Sequence, residues 1–256
     1  MATSRGGSLR RSEADLLQRF KPAQQAAVRF AEVPSMVWVN DVRGWPPRLW
    51  LADDFWLIAH HDSTGRPRLG PVALQLGAAG ALLGELVLSK RIVVAGGQVR
   101  VVAPAVPSDA VACRIVDQLL TEPEHELRTW LRHLSHDADR TVAARLVRAG
   151  LVVKGGDRRL FRTAAAYRPV DSSYAFWRSV RLKHLLADGR GQPDWSDVLL
   201  AGLIHAAGLF RAVLWEDAPA ATVHLRSCLA RADPSVRELI AQVGTLVGDA
   251  VLAARG

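Results

Sequence analysis

The sequence contains few cysteines, and this shortage excludes several classes of protein. Only Cys113 and Cys228 occur among 256 residues, and neither lies in a CxxC pair or at a zinc-ligand spacing from a histidine. A disulfide-stabilised scaffold and a zinc ribbon are therefore excluded, and we expect a reducing compartment. The N-terminus is basic but has no apolar stretch, so no secretory signal peptide is predicted.

The motifs of the common enzyme classes are also missing. The chain has no GxSxG, GxGxxG or HExxH motif and no GxxxxGK[ST] phosphate-binding loop. We interpret His60-His61-Asp62 as a structural group near a helix C-terminus, where a cationic histidine is favoured. His205 is interpreted as a core or interface histidine, and Asp53-Asp54 as a solvated helix face. The prediction is a protein with no catalytic residues, no cofactor and no metal site.

Acidic residues are too few to balance the basic ones. The chain has 33 basic and 25 acidic residues, a formal charge of +8, and only four of the basic residues are lysines. An excess of this size indicates an anionic partner, such as nucleic acid, an acidic membrane surface or an acidic protein. A GC-rich genome that favours arginine and alanine codons is the alternative explanation. Half of the excess lies in residues 1–48, which hold eight basic and four acidic residues.

Long apolar runs without charges are absent. The two best candidates are Pro71–Leu88, which contains Gln75 and Glu85, and Val198–Trp215, which contains His205 and Arg211. A spanning helix needs roughly 20 apolar residues with few charges. Both segments are therefore predicted to be buried core helices.

Helical periodicity dominates from Leu49 onward. Gly-Gly pairs between β-branched runs predict two hairpins, at 90–102 and 151–162. The predicted fold class is mainly α, a single all-α globular domain over 49–256 with two small β-hairpins. Residues 1–48 are predicted to be a basic, partly disordered N-terminal extension. The predicted helices are 49–59, 72–88, 108–120, 124–134, 137–149, 172–187, 195–215, 218–231 and 234–254.

A basic helix followed at once by a hairpin occupies residues 139–162. This order is typical of winged-helix proteins, in which the helix enters the major groove and the wing contacts phosphate. The alternative is an ordinary helix and hairpin with a solvated charged face. The arginines of this segment are Arg140, Arg145, Arg148, Arg158, Arg159 and Arg162.

The hairpin of this segment also has the composition of a membrane contact. Its apolar side chains adjoin cationic ones, and each arginine near an anionic leaflet contributes about 1 kcal/mol. Its Gly-Gly-Asp tip is unfavourable for insertion. The residues concerned are Val152, Val153, Arg158, Arg159, Leu160 and Phe161.

Seven motifs in order resemble the Golgi-phosphoprotein family and cover about 49–254. No single motif is specific to that family, but the seven motifs in this order are. They are LWLADDFWLIAHHDSTGRPR at 49–68, GALLGELVLSKRIVV at 80–94, Pro-Ser-Asp at 107–109, TWLRHL at 129–134, ARLVRAGLV at 144–152, the Arg-Arg-Leu-Phe hairpin at 158–161 and LIHAAGLFRAVL at 203–214.

The resemblance implies an all-α, non-enzymatic, peripheral membrane protein, here a bacterial member. The Golgi members bind phosphatidylinositol 4-phosphate and link glycosyltransferases to vesicle sorting. Their headgroup site uses one tryptophan and three arginines, and the matching positions here are Gly70, Ala79, His136 and Asp139. None keeps the family residue. Basic residues nearby, with His136, form the predicted anionic-lipid site: Arg66, Arg68, Arg132, His136 and Arg140.

Three hypotheses follow from the sequence. The first is a cytoplasmic, peripherally membrane-associated adaptor that binds anionic phospholipid headgroups and cytosolic tails of membrane proteins. In the family the hairpin also contributes to oligomerisation, so a homo-oligomer through 151–162 is a further expectation. The second is a nucleic-acid-binding protein that uses 139–162. The third is a small-molecule enzyme, for which the sequence offers no site.

Overall fold

The computed structural model describes residues 49–103, 109–155, 166–187 and 192–254. The predicted extension, residues 1–48, lies outside them. The described chain is mainly α-helical with two antiparallel two-stranded sheets, which confirms the predicted fold class. The helices are α1 Leu51–Ala59, α2 Pro71–Leu88, α3 Ala110–Thr121, α4 Leu127–Ser135, α5 Ala138–Arg148, α6 Ser173–Leu186, α7 Trp195–Ala206, α8 Phe210–Leu214, α9 Ala218–Ala230 and α10 Pro234–Ala253.

Helix α2 is the centre of the domain and packs against α1, α4, α5, α7 and α10. Glycines on α2 allow the neighbouring helices to approach closely. A Cβ added to Gly77 would lie 2.2 Å from Cζ of Phe55 on α1. By length and apolar composition α2 could cross a membrane, but 72% of it is buried in the domain. This agrees with the prediction of a buried core helix.

Helix α1 is buried along its whole length. All nine of its residues, from Leu51 to Ala59, are buried. The sequence predicted an amphipathic helix with Asp53 and Asp54 in solvent, and this prediction is wrong. The two aspartates are buried because arginines from other helices pair with them, as shown below.

The first predicted hairpin is confirmed. Strand β1, Ile92–Ala95, pairs with β2, Gln98–Val101. Gly96 and Gly97 connect them with φ values of 59° and 79°, which two-residue hairpin turns require and glycine adopts freely. The carboxylate of Glu238 on α10 accepts hydrogen bonds from both glycine N–H groups.

The second hairpin differs from the prediction. Strand β3, Val152–Gly155, pairs with β4, Ala166–Pro169, so that Val152 lies opposite Pro169. The predicted pairing of β3 with residues 158–162 is therefore wrong. Strand β4 is held by contacts beyond the ladder, because Gly65 in the α1–α2 turn has φ 66° and a Cβ there would lie 1.6 Å from the carbonyl oxygen of Tyr167. Arg158, Arg159, Leu160 and Phe161 lie outside the described residues.

The predicted helix 195–215 is also wrong, because the chain turns after α7. Gly208 has φ 82° and its N–H donates to the carbonyl of His205, while the Leu209 N–H donates to that of Ile204. This is a Schellman cap, which ends a helix at a left-handed glycine. The following helical segment, Phe210–Ala230, is bent by 116° from α7. Taken together, this bent pair would also be apolar enough to cross a membrane.

Candidate functional site

The predicted lipid-site residues come from two exposed segments. The turn between α1 and α2 carries Arg66 and Arg68, and both are exposed. Arg68 is fixed to the end of α1, because its Nε donates to the carbonyl of His60 at 3.1 Å and its backbone N–H to that of Ala59 at 2.8 Å. The turn therefore presents Arg68 from a defined position.

The corner between α4 and α5 carries the other three residues. Arg132, His136 and Arg140 are all exposed. Nδ1 of His136 lies 2.8 Å from the carbonyl of Arg132, to which it donates. Arg140 pairs with Asp137 at 2.6 Å, but both side chains are 73% exposed, so solvent screens this pair.

The turn and the corner meet at Asp139. The indole Nε1–H of Trp56 donates to Oδ1 of Asp139 at 2.8 Å, and Nε2 of His60 lies 3.7 Å from the same oxygen. The Trp56 and His60 rings stack with centroids 3.8 Å apart. The structure thus brings the end of α1, which leads into the turn that carries Arg68, against the start of α5, where Arg140 follows Asp139.

His60 belongs to the neutral interior, which corrects the expectation of a cationic histidine. Burial lowers the pKa of His60, and its hydrogen bond to the Trp56 carbonyl and the carboxylate of Asp139 oppose this only in part. The neutral imidazole then donates from Nδ1 to the Trp56 carbonyl at 2.8 Å. Within the cluster His60-His61-Asp62, His60 therefore has a structural role.

The family's headgroup positions do not form a cationic pocket in this chain. Ala79 is fully buried in α2, and Asp139 is engaged by Trp56. Gly70 and His136 are exposed, and Gly70 has no neighbour within 4 Å of where a Cβ would lie. None of these four positions contributes an arginine to bind an anion.

A buried ionic network that the sequence did not predict joins four elements. Arg145 of α5 contacts Asp53 of α1 at 2.9 Å, Glu85 of α2 at 2.7 Å and Asp109, which caps α3, at 3.2 Å. Beside it, Arg178 of α6 pairs with Asp54 at 2.7 Å. These partners explain why the two aspartates of α1 are buried. Arg145, expected to contact phosphate in the winged-helix hypothesis, is instead buried and paired with these carboxylates.

The charges in this network shift two pKa values. Burial raises the pKa of Asp53 to about 7, and Arg145 lowers it only partly while the nearby Glu85 carboxylate raises it further. Burial alone would lower the pKa of Arg145, but the carboxylates of Glu85 and Asp53 hold it above its ordinary value. The Asp53 carboxyl group therefore keeps its proton up to about pH 7 in the folded protein, chiefly because it is buried.

A cavity of about 490 Å³ opens between α1, α6 and α8. The sequence did not predict it, because it exists only after the chain turns at Gly208. Two aromatic side chains at its edge are unusually exposed, Phe176 at 47% and Trp215 at 77%. Its lining residues are Leu57, Ile58, Asp62, Arg68, Phe176, Ser179, Val180, Lys183, Ala212, Val213, Leu214 and Trp215.

Within the described residues, no group of three or more histidine, cysteine or carboxylate side chains could hold a metal ion.

No curated protein matches the chain closely enough in sequence to be counted as a relative. The sequence profile of Golgi phosphoprotein 3 (GPP34) matches residues 51–251. This range includes every helix described above except the last two residues of α10. The resemblance predicted from the order of seven motifs is confirmed, and the chain belongs to the Golgi phosphoprotein 3 (GPP34) family.

Proposed function

We propose that the protein is a non-enzymatic peripheral membrane adaptor that binds anionic phospholipid through the α1–α2 turn and the α4–α5 corner. Family membership supports the adaptor class. The observation that carries the lipid site is the junction at Asp139, where Trp56 and His60 join the two segments that bear the exposed basic residues. Arg66, Arg68, Arg132 and Arg140 then act together on one anionic surface.

The attraction is expected to be diffuse. A basic side chain near an anionic leaflet contributes about 1 kcal/mol, and Arg140 contributes less because Asp137 accompanies it. Arg66, Arg68 and Arg132 together therefore supply about 3 kcal/mol. Added salt weakens this attraction, because exposed charges are screened over about 10 Å at 0.1 M ionic strength.

Headgroup identity should matter less than charge. A pocket specific for a phosphorylated headgroup needs several converging cationic donors. Ala79 and Asp139 provide none, and Asp139 itself would repel a phosphate. We therefore propose anionic phospholipid in general, rather than phosphatidylinositol 4-phosphate, as the ligand.

Co-sedimentation with vesicles tests the proposal. The protein should pellet with phosphatidylcholine vesicles that contain phosphatidylserine or phosphatidylglycerol, remain in solution with pure phosphatidylcholine, and be released by salt. Arg66→Glu combined with Arg132→Glu should abolish pelleting, while Arg226→Glu, an exposed arginine of α9, should not. Equal pelleting of the double variant would refute this site.

The remaining parts of the proposal concern partners and location. Under it the protein is cytoplasmic and peripherally membrane-associated in a bacterial cell, and its protein partners are cytosolic tails of membrane proteins. A homo-oligomer formed through 151–162 would increase membrane avidity, because linked copies bind one surface together. Cross-linking of the protein on and off vesicles tests that part.

A further inference from the structure

The cavity between α1, α6 and α8 has the size and lining of a ligand site. Its volume of about 490 Å³ lies within the range of roughly 300–1,000 Å³ found for small-molecule pockets. Its apolar lining includes Leu57, Ile58, Val180, Val213 and Leu214, of which Val180 and Val213 are half-buried and accessible. Its interior is therefore suited to an apolar ligand.

Arg68 is the positively charged side chain of the cavity that can bind an anionic ligand. Lys183 also lines the cavity, but it pairs with Asp217 at 2.7 Å. Asp62 is the carboxylate of the lining. In the part of the chain that the structure describes, no carboxylate lies within ion-pair distance of Arg68, whose Nε is held by the His60 carbonyl. Its outer amino groups can therefore meet an anion.

Trp215 marks the edge of the same cavity with a strained backbone. It has φ 51° and ψ −121°, a conformation that suits glycine and is an outlier for a bulky residue. The residue is 77% exposed, so packing within the domain does not account for this backbone conformation. Its indole Nε1–H donates to the Ala212 carbonyl at 2.8 Å, which fixes the ring at the edge of the cavity.

We propose that this cavity binds a single acyl chain with an anionic head. The chain lies among Phe176, Val180 and Val213, the head meets Arg68, and the indole of Trp215 covers the part of the chain nearest the opening. One apolar, flexible chain with one charge matches an apolar lining with one available cation. Such a ligand can be a free fatty acid or the tail of a lysophospholipid.

Binding is measured by calorimetry and tryptophan fluorescence on the whole protein, with ligands kept below their micellar concentrations. The probes are dodecanoate, a dodecanoyl lysophosphatidylglycerol and neutral dodecanol. We expect dodecanoate or the lysophospholipid, or both, to bind at least about tenfold more tightly than dodecanol, a difference of about 1.4 kcal/mol. The tighter of the two identifies the source of the chain. Absence of binding by both, or equal binding of dodecanol, overturns the proposal.

Matched variants locate the site. Ala212→Trp should fill the opening and weaken binding about tenfold or more, whereas Ala220→Trp, an exposed alanine of α9 outside the cavity, should not. Arg68→Gln should remove the preference for an anionic head, and Arg226→Gln, at an exposed arginine of α9 outside the cavity, should keep it. Unchanged binding in Ala212→Trp or Arg68→Gln overturns the assignment.

Two further readouts separate this proposal from a folding defect and from the membrane proposal. Trp215→Gly should weaken binding while its melting temperature stays equal or rises, because glycine adopts this backbone without strain. Ala212→Trp should still pellet with anionic vesicles. A protein that binds dodecanoate but no vesicles refutes only the proposed function, and one that binds vesicles but no dodecanoate refutes only this inference.

Discussion

Replacing Arg145 with glutamine should destabilise the protein by about 3–5 kcal/mol, because a buried ion pair that loses one partner leaves the other charge uncompensated. The Arg145 side chain is 7% exposed, and Asp53 and Glu85 are 1% and 5% exposed. Glutamine keeps a hydrogen-bonding end but removes the charge that Asp53, Glu85 and Asp109 share. The network cannot relax into solvent, since all its members are held on separate helices.

Thermal and urea unfolding of the whole protein measure this effect. For a domain of this size, 3–5 kcal/mol corresponds to a fall in melting temperature of roughly 6–20 °C. Arg148→Gln is the matched control, because Arg148 lies on the same helix but is exposed, and it should change stability by less than about 0.5 kcal/mol. Similar losses in both variants would refute the reasoning.

A double variant tests the mechanism of the loss. Arg145→Gln combined with Asp53→Asn should be more stable than Arg145→Gln alone, because the Asp53 carboxyl group then no longer has to be protonated or buried as a charge on folding. Residues in contact couple by about 0.5–3 kcal/mol in such cycles. Strict additivity of the two substitutions would show that Arg145 acts through packing instead of charge.

Two further predictions concern pH and packing. Folded Asp53 keeps its proton up to about pH 7, while the unfolded side chain loses it near 3.8; the folded state therefore binds more protons between these values, and stability should fall as pH rises through this window. Asp53→Asn should flatten that slope in pH-dependent unfolding, and Asp117→Asn, on the exposed face of α3, should keep it. Gly77→Ala should cost at least about 1–3 kcal/mol through overpacking against the ring of Phe55. Gly248→Ala, where the added Cβ meets nothing within 4 Å, should raise stability by about 0.5–1 kcal/mol, and equal effects of the two alanines in urea unfolding would contradict the packing argument.

Local sequence signals correctly predicted the elements that depend mainly on residues close to one another in the sequence. The Gly96-Gly97 turn follows from two adjacent glycines between β-branched residues, and the helices follow from apolar spacing. The burial of Asp53 could not be predicted in the same way, because its partner Arg145 is 92 residues away in the sequence. An acidic pair inside an otherwise apolar helix is compatible with either solvent or a distant arginine.

The errors in the second hairpin and in α7 also have physical causes. Gly155-Gly156 is a valid turn signal in the sequence. Strand β4, however, also contacts the α1–α2 turn around Gly65, and the pattern of residues 151–162 gives no information about that contact. The run around Gly208 is apolar on both sides, so periodicity continues through a residue at which the backbone reverses. The cavity beside α8 depends on that reversal and could therefore not be predicted from the sequence.

The predicted lipid-binding residues lie on two segments that are distant in the sequence. Their arrangement around Asp139 depends on the Trp56 hydrogen bond, which joins residues 83 positions apart. From the sequence spacing alone, Arg66 is expected to lie close to Arg68, and Arg132 close to His136. The spacing does not predict that these two segments lie close to each other. The family resemblance supplied that expectation where residue patterns alone did not.

The central position of α2 has a consequence for how the protein is made. Its apolar surface is covered partly by α10, and 165 residues separate Leu88 from Ala253 at the end of that helix. At synthesis rates of about 5–20 residues per second, the ribosome needs roughly 8–33 s to add them. During that time a helix apolar enough to enter a membrane lacks its last partner, so the nascent chain should be a client of ribosome-associated chaperones.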